Sequence, residues 1–258
     1  MNPRVERGDP RLEDYRHVGE PRWLQDRGLF VAEGRLVVAR LIEAGYDIPS
    51  ILVTATALRA LAPMPDPHRV LVADQAIVND VTGFNFHRGC LALARRPPAI
   101  PLESFAAASR LAVVEGVNNP DNIGGIFRSA AAFGADGVVL DPSAGDPWYR
   151  KAVRTSMGAV LRLPFARASA WPADLRLLRE HGLTLAALTP AGAMTVDEFA
   201  AARPRDARIA LIVGAEGPGL TDAALREADV TLRIPVDPAS DSLNVVVALS
   251  IALHRLRG

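Results

Sequence analysis

Three segments of the chain share one design: an apolar run, then a short loop rich in Gly, Pro, Asn or Ser, then a run with helical spacing. They are VVEGVNNPDNIGGIFRSAAAF (113–133), IVGAEGPGL (212–220) and IPVDPASDSLNVVVALSIAL (234–253). Each opens as an apolar strand and passes by a short connection into a helix, the alternation of a parallel sheet covered on both faces. Parallel strands need helical crossovers, so the repeated strand–loop–helix unit predicts an α/β fold. In open sheets of this kind, ligands bind outside the carboxyl ends of the strands. The three loops therefore predict one shared site.

The rest of the second half continues the alternation. Strands are expected at 110–116, 137–140, 183–188, 208–213 and 230–234, and helices at 122–133, 150–159, 171–181, 219–228 and 242–257. The stretch ARRPPAIP (94–101) is stiff and extended, and sets a Pro-rich linker at 97–107 ahead of a domain at 108–258. Before it lies a smaller α/β domain at 28–96. Its FVAEGRLVVARLIEAG run reads as a helix through Leu36, Val37, Leu41 and Ile42, closing at Gly45. Strands follow at 50–54, 69–73 and 89–94, with helices at 57–62 and from Asp74. Residues 1–27 read as a polar arm.

The 29 basic and 29 acidic residues cancel, which excludes a histone-like or tail-driven nucleic-acid binder but not an enzyme with a locally positive site. Lys151 is the single lysine among those basic residues, a bias that codon usage or phosphate recognition by guanidinium forks would each explain. One cysteine, Cys90, excludes an internal disulfide and a cysteine-based zinc site, and the five histidines lack metal-ligand spacing. No apolar run reaches membrane length and the N-terminus is charged throughout, so a soluble, cytoplasmic protein is expected.

Taken singly, the loops allow dull readings. Asn122 reads as a helix N-cap and Arg128, six residues on, as a surface charge. GAEGPGL has neither the dinucleotide glycine spacing nor a phosphate-loop lysine, but Glu216 amid three glycines has few structural duties. Ser242 reads as the cap of the last helix, with Asn244 in its first turn. Together, Asn-x5-Arg, G-x-E-G-x-G-L and I-P-x5-D-S-L-N-V resemble the SpoU or TrmH-like family of RNA ribose 2′-O-methyltransferases, within the wider SPOUT class. That resemblance covers about residues 108–257. Residues 28–96, more loosely, resemble the ribosomal-protein-like substrate-binding domain that often precedes it.

The resemblance implies a C-terminal trefoil knot, a homodimer, S-adenosylmethionine as cofactor, and RNA, ribosomal or transfer, as substrate. It implies catalytic positions at Asn122, Arg128, Glu216, Ser242 and Asn244. Cofactor positions carry over as Leu188, Thr189, Gly214, Glu216, Gly217, Ile234 and Leu243. The family's arginine is proposed to take the hydroxyl proton; a guanidinium is a reluctant base, so Arg128 is read here as a clamp on phosphate and on developing alkoxide.

From Arg150 to Arg167 there are five basic residues and no acid, and Arg150, Lys151 and Arg154 read as an RNA-backbone patch or as a solvated helix face. Phe84 and Phe86, with His87 and Arg88, read as RNA-stacking or as core. Asp237 and Asp241 depart from the family's less acidic third loop and set the substrate type in question. A non-catalytic RNA-binding dimer and a SPOUT enzyme that methylates a base nitrogen are the rival readings.

Overall fold

The computed structural model describes residues 3–59, 66–86, 89–237, 239 and 242–257. The chain divides into two compact units, one of Met1–Pro98 with Pro147–Arg162, the other of Ala99–Asp146 with Leu163–Gly258.

The first unit begins with α1 (Glu13–Arg16) and α2 (Pro21–Asp26). Then come β1 (Leu29–Glu33), α3 (Arg35–Glu43), β2 (Ser50–Val53), α4 (Ala55–Arg59), β3 (Val70–Val72), α5 (Gln75–Thr82) and β4 (Cys90–Arg95). The sheet runs β1-β4-β2-β3, with β4 antiparallel to both neighbours and β2 parallel to β3. The expected polar arm is instead structural. Leu12, Tyr15, Val18 and Leu24 are buried with Val31, Leu52, Leu71 and Phe86 in one core, because the apolar residues of 1–27 recur among its charges at helical spacing. Strand β1 is a second correction. LFVAE runs into the following helix with only Gly34, at φ 90°, to mark the break, and this hid a strand buried at every position. Helix α3 turns Val37, Val38 and Leu41 inward and leaves Leu36 49% exposed. The helix expected at 57–62 begins at Ala55, and its last three positions lie outside the described residues.

The second unit continues with β5 (Arg110–Glu115), α6 (Pro120–Ala132) and β6 (Gly137–Leu140). The chain then gives α7 (Arg150–Thr155) to the first unit. It returns with β7 (Phe165–Arg167), α8 (Leu175–Glu180), β8 (Thr184–Leu188), β9 (Met194–Thr195) and α9 (Val196–Ala202). It closes with β10 (Ile209–Gly214), α10 (Asp222–Glu227), β11 (Val230–Arg233) and α11 (Val245–Arg255). The sheet order is β7-β6-β5-β10-β8-β11-β9, and every pairing is parallel. The expected α/β architecture with a parallel sheet is therefore present. Leu111, Val113, Leu185, Ala210 and Ile212 build its core with Leu175 and Leu178 of α8. Leu102 and Phe105, inside the expected linker, are buried in that same core, which apolar side chains reach even from a Pro-rich stretch.

Several expected ends move for local reasons. The helix from Arg150 stops at Thr155, since Met157 and Gly158 take positive φ (53° and 79°). α8 starts only at Leu175, after Pro172. β7, β9 and α9 were not anticipated; β7 and β9 span three and two residues, too short to show a period.

Candidate active site

Parallel pairing sets Gly214, the last residue of β10, opposite Glu115, the last of β5. β8 and β11 follow on the other side of β10. The loops after four adjacent strands therefore leave from one end of the sheet. Residues 116–119 enter α6, 215–221 enter α10, 189–193 lead to β9, and 234–244 enter α11.

Two helix starts bring the motif residues together. Asn119, not Asn122, caps α6, its side chain accepting from the Asp121 N–H at 2.9 Å, with Pro120 pre-set at the first helical position. Asn122 then falls one turn in and is buried (8% exposed). At the other helix Asn244, not Ser242, is the cap: its Oδ1 accepts from the N–H of Val246 (2.9 Å) and of Val247 (3.4 Å). Its Nδ2 donates to Asn122 Oδ1 at 3.1 Å and to Glu216 Oε1 at 2.5 Å. One side chain thus joins all three motif segments.

The bonding capacity of Asn244 is spent. Its oxygen serves the helix and its two amide hydrogens serve Asn122 and Glu216, so it positions its neighbours. What they have left is informative. Asn122, with Oδ1 engaged, keeps its amide hydrogens to offer, and Glu216, exposed, keeps Oε2 as an acceptor. Arg128 is not drawn into this cluster. It is exposed, about two-thirds of a turn round α6 from Asn122, and no hydrogen bond or ion pair among the described residues holds its guanidinium. Ser242 is likewise exposed, with its hydroxyl unengaged among those residues. Asp237 is exposed and accepts from the Ala239 N–H at 2.8 Å; Asp241 lies outside the described residues.

α6 and α11 pack closely behind the cluster. The Ser250 and Ser129 hydroxyls are hydrogen-bonded, Oγ to Oγ at 2.7 Å, and a Cβ placed on Gly125 would lie 2.8 Å from a methyl of Val246. This contact fixes where Asn122 and Asn244 meet.

The expected cofactor positions are half-buried or exposed at the same sheet end: Leu188, Thr189, Gly214, Ile234 and Leu243 half-buried, Gly217 exposed. The Thr189 N–H is committed to Leu232 O at 2.8 Å. The 214–220 loop curls onto itself, Gly219 N–H donating to Ala215 O at 3.0 Å, and a Cβ on Gly214 would fall 2.3 Å from the Gly219 carbonyl carbon. Gly217, at φ 87°, has open space where a Cβ would stand. This donor set fits S-adenosylmethionine: open backbone at glycines, half-buried apolar residues for an aromatic ring, and one carboxylate compatible with a sulfonium cation.

Sequence reasoning missed Glu115 and Asp141, buried carboxylates that organise the loops. Asp141 accepts from the Gly116 N–H (3.0 Å) and the Ser143 hydroxyl (2.5 Å). The available signal was an acid closing an otherwise apolar strand.

The basic stretch is partly engaged within the first unit. Arg150 Nη1 pairs with Glu33 Oε2 at 2.8 Å, within the first unit, and Arg154 approaches the same carboxylate at 3.7 Å. Glu33 is 3% exposed, and the Arg150 guanidinium also stacks 4.5 Å over the Phe84 ring. A buried acid thus engages both arginines, Arg154 keeping about a third of its side chain exposed. Arg167 is spent on the carbonyls of Asp141 and Ala144, both at 2.8 Å, and Lys151 is half-buried. Phe86 belongs to the core at 1% exposure, while His87 and Arg88 lie outside the described residues.

Comparison with known proteins identifies the family. The profile of the SpoU rRNA Methylase family matches residues 109–254, which include all three motif segments. An uncharacterized tRNA/rRNA methyltransferase of Mycobacterium tuberculosis is 43% identical over 256 residues, 95% of this chain and 88% of that protein. The Bacillus subtilis 23S rRNA (guanosine(2553)-2′-O)-methyltransferase RlmP is 31% identical over 159 residues, 62% of each chain. The crystal structure of an AdoMet-bound rRNA methyltransferase from Sinorhizobium meliloti superposes with a TM-score of 0.83 at 25% identity, covering 98% of this chain and 97% of its own. A family profile over more than half of the sequence, on a fold that joins the same three segments, places the chain in the SpoU rRNA methylase family.

Proposed function

We propose that the protein is an S-adenosylmethionine-dependent methyltransferase acting on a ribose 2′-hydroxyl of ribosomal or transfer RNA. The observation that carries the reading is the Asn244 side chain bonded at once to Asn122 and Glu216, which makes one polar cluster of three distant motifs. Bound S-adenosylmethionine supplies an electrophilic methyl group on a sulfonium, so the protein's work is to orient and activate the acceptor. The bond from carbon to sulfur breaks as the bond to the ribose oxygen forms, and the hydroxyl proton must leave. Within the cluster the amides and the guanidinium are poor proton acceptors, which leaves the free Oε2 of Glu216. Asn122 then donates to the ribose, and Arg128, uncommitted among the described residues, clamps a phosphate and stabilises the developing alkoxide.

The homodimer and the trefoil knot implied by the resemblance belong to this reading. Val247 (46% exposed) and Ile251 (38%) lie one turn apart on α11, an apolar stripe suited to a second copy. A role for the first unit in holding RNA is supported by a groove of about 500 Å³ past the ends of β2 and β3, lined by Arg35, Thr54, Thr56, Asp74 and Gln75.

The reading is tested at Arg128. Arg128→Ala should lower kcat at least a hundredfold while calorimetry finds cofactor affinity within about twofold of wild type. Arg128→Lys should recover little, because a point charge does not replace a bidentate fork. Near-normal turnover of the lysine variant would remove the clamp.

A further inference from the structure

Glu115 closes β5 at 4% exposure, and no ion pair among the described residues neutralises it. Burying a carboxylate without a cation is costly unless its lone pairs are filled. Three donors fill them. Trp171 Nε1–H reaches Oε1 at 2.6 Å, the Thr221 hydroxyl reaches Oε1 at 2.8 Å, and the Thr221 backbone N–H reaches Oε2 at 2.8 Å. A neutral glutamine could not serve all three, since its amide nitrogen accepts nothing.

The position of these donors gives the carboxylate a task. Gly214, opposite Glu115 in the sheet, starts the glycine loop, and Thr221, bonded to Glu115, ends it. Thr221 also caps α10, its hydroxyl oxygen accepting from the Ala224 N–H at 3.2 Å. The loop between them holds Gly217 and Gly219 at φ 87° and 71°, and glycines lose more conformational freedom on ordering than any other residue. Such a loop, unpinned, would have to be ordered at the expense of ligand affinity.

We propose that Glu115 is a positioning residue for the cofactor loop, clamping Thr221 so that residues 215–220 hold their binding shape before S-adenosylmethionine arrives. This rests on the reading that the cofactor sits at Gly214, Glu216 and Gly217. On the same reading most of the grip on RNA falls to Arg128 and to the first unit rather than to this loop, so the clamp should change RNA affinity little.

The test uses the full chain with four variants: Glu115→Gln, Glu115→Asp, Trp171→Phe and Gly217→Val. Calorimetry should show the cofactor Kd of Glu115→Gln raised at least tenfold, that of Trp171→Phe raised severalfold, and that of Glu115→Asp between wild type and Glu115→Gln. Hydrogen exchange over 215–220 without cofactor should be faster in Glu115→Gln, and RNA affinity without cofactor should stay within about twofold. A folded Glu115→Gln with unchanged Kd and unchanged loop exchange overturns the proposal. Should Glu115→Gln fail to fold, Trp171→Phe decides on the same two readouts, unchanged values again overturning it. Gly217→Val separates the premises. If wild type binds cofactor and Gly217→Val binds it equally well, the loop is not the cofactor site and the clamp falls with it. If Gly217→Val weakens binding while Glu115→Gln does not, only the clamp falls.

Discussion

At the scale of single residues, Asn244 does two jobs with one amide. Its oxygen caps α11 and its nitrogen joins Asn122 to Glu216. The jobs separate by substitution. Asn244→Ala loses both, with about 1 kcal/mol of stability for the cap. Asn244→Asp keeps a good cap but sets a second carboxylate against Glu216, so thermal denaturation should be near wild type while methylation falls at least a hundredfold. Equal loss of stability in both variants would show that the cap is not made. The sequence names the participants here but not their parts: a cap at Asn122 or Asn119, at Ser242 or Asn244, differs by two or three residues of helix start, where local pattern is least decisive. Cys90 gives a second check. Burial pushes its thiol up to about 12 from the ordinary value of 9, so the thiol stays protonated in the fold. Its contribution to stability is whole below about 9 and is lost as pH rises toward about 12. At pH 8 the native protein should resist iodoacetamide, reacting only when unfolded.

At the scale of elements, the tight approach of α6 and α11 decides whether the cluster forms. Gly125→Ala adds a Cβ within 2.9 Å of both Val246 methyl groups, and a β-branched neighbour cannot swing aside. The gain in helix propensity is about 1 kcal/mol and overpacking costs about 1–3 kcal/mol, so net destabilisation is expected. Adding Val246→Ala should recover part of it, which a double-mutant cycle in urea measures; strict additivity would mean the helices are not in this contact. The central strands were legible because their inner positions form unbroken apolar runs, and the helices of the motif segments because loops full of Gly and Pro delimit them. β1 was not, since one glycine separates it from α3. Sheet order was not either. β10 lies between β5 and β8 although it follows both in sequence, and pairing at that separation leaves no local trace.

At the scale of the whole molecule, residues 147–162 leave the second unit between β6 and β7 and fold with the first. A basic helix in a sequence does not say which sheet it covers, so this segment was read as surface. The buried Glu33 says where it goes. Arg150→Ala, removing the nearer of the two arginines on that buried carboxylate, should destabilise by about 3 kcal/mol, and replacing both partners by Leu and Met should regain most of it. Calorimetric melting would check this, and a single variant as stable as wild type would deny the pair its role.

The account as a whole predicts where one methyl group ends up. RNA from cells lacking the enzyme, incubated with the purified protein and methyl-labelled S-adenosylmethionine, can be hydrolysed in alkali and resolved. The label should appear in an alkali-resistant dinucleotide, the mark of a blocked 2′-hydroxyl, and should vanish with Arg128→Ala. Label recovered on a base would contradict it.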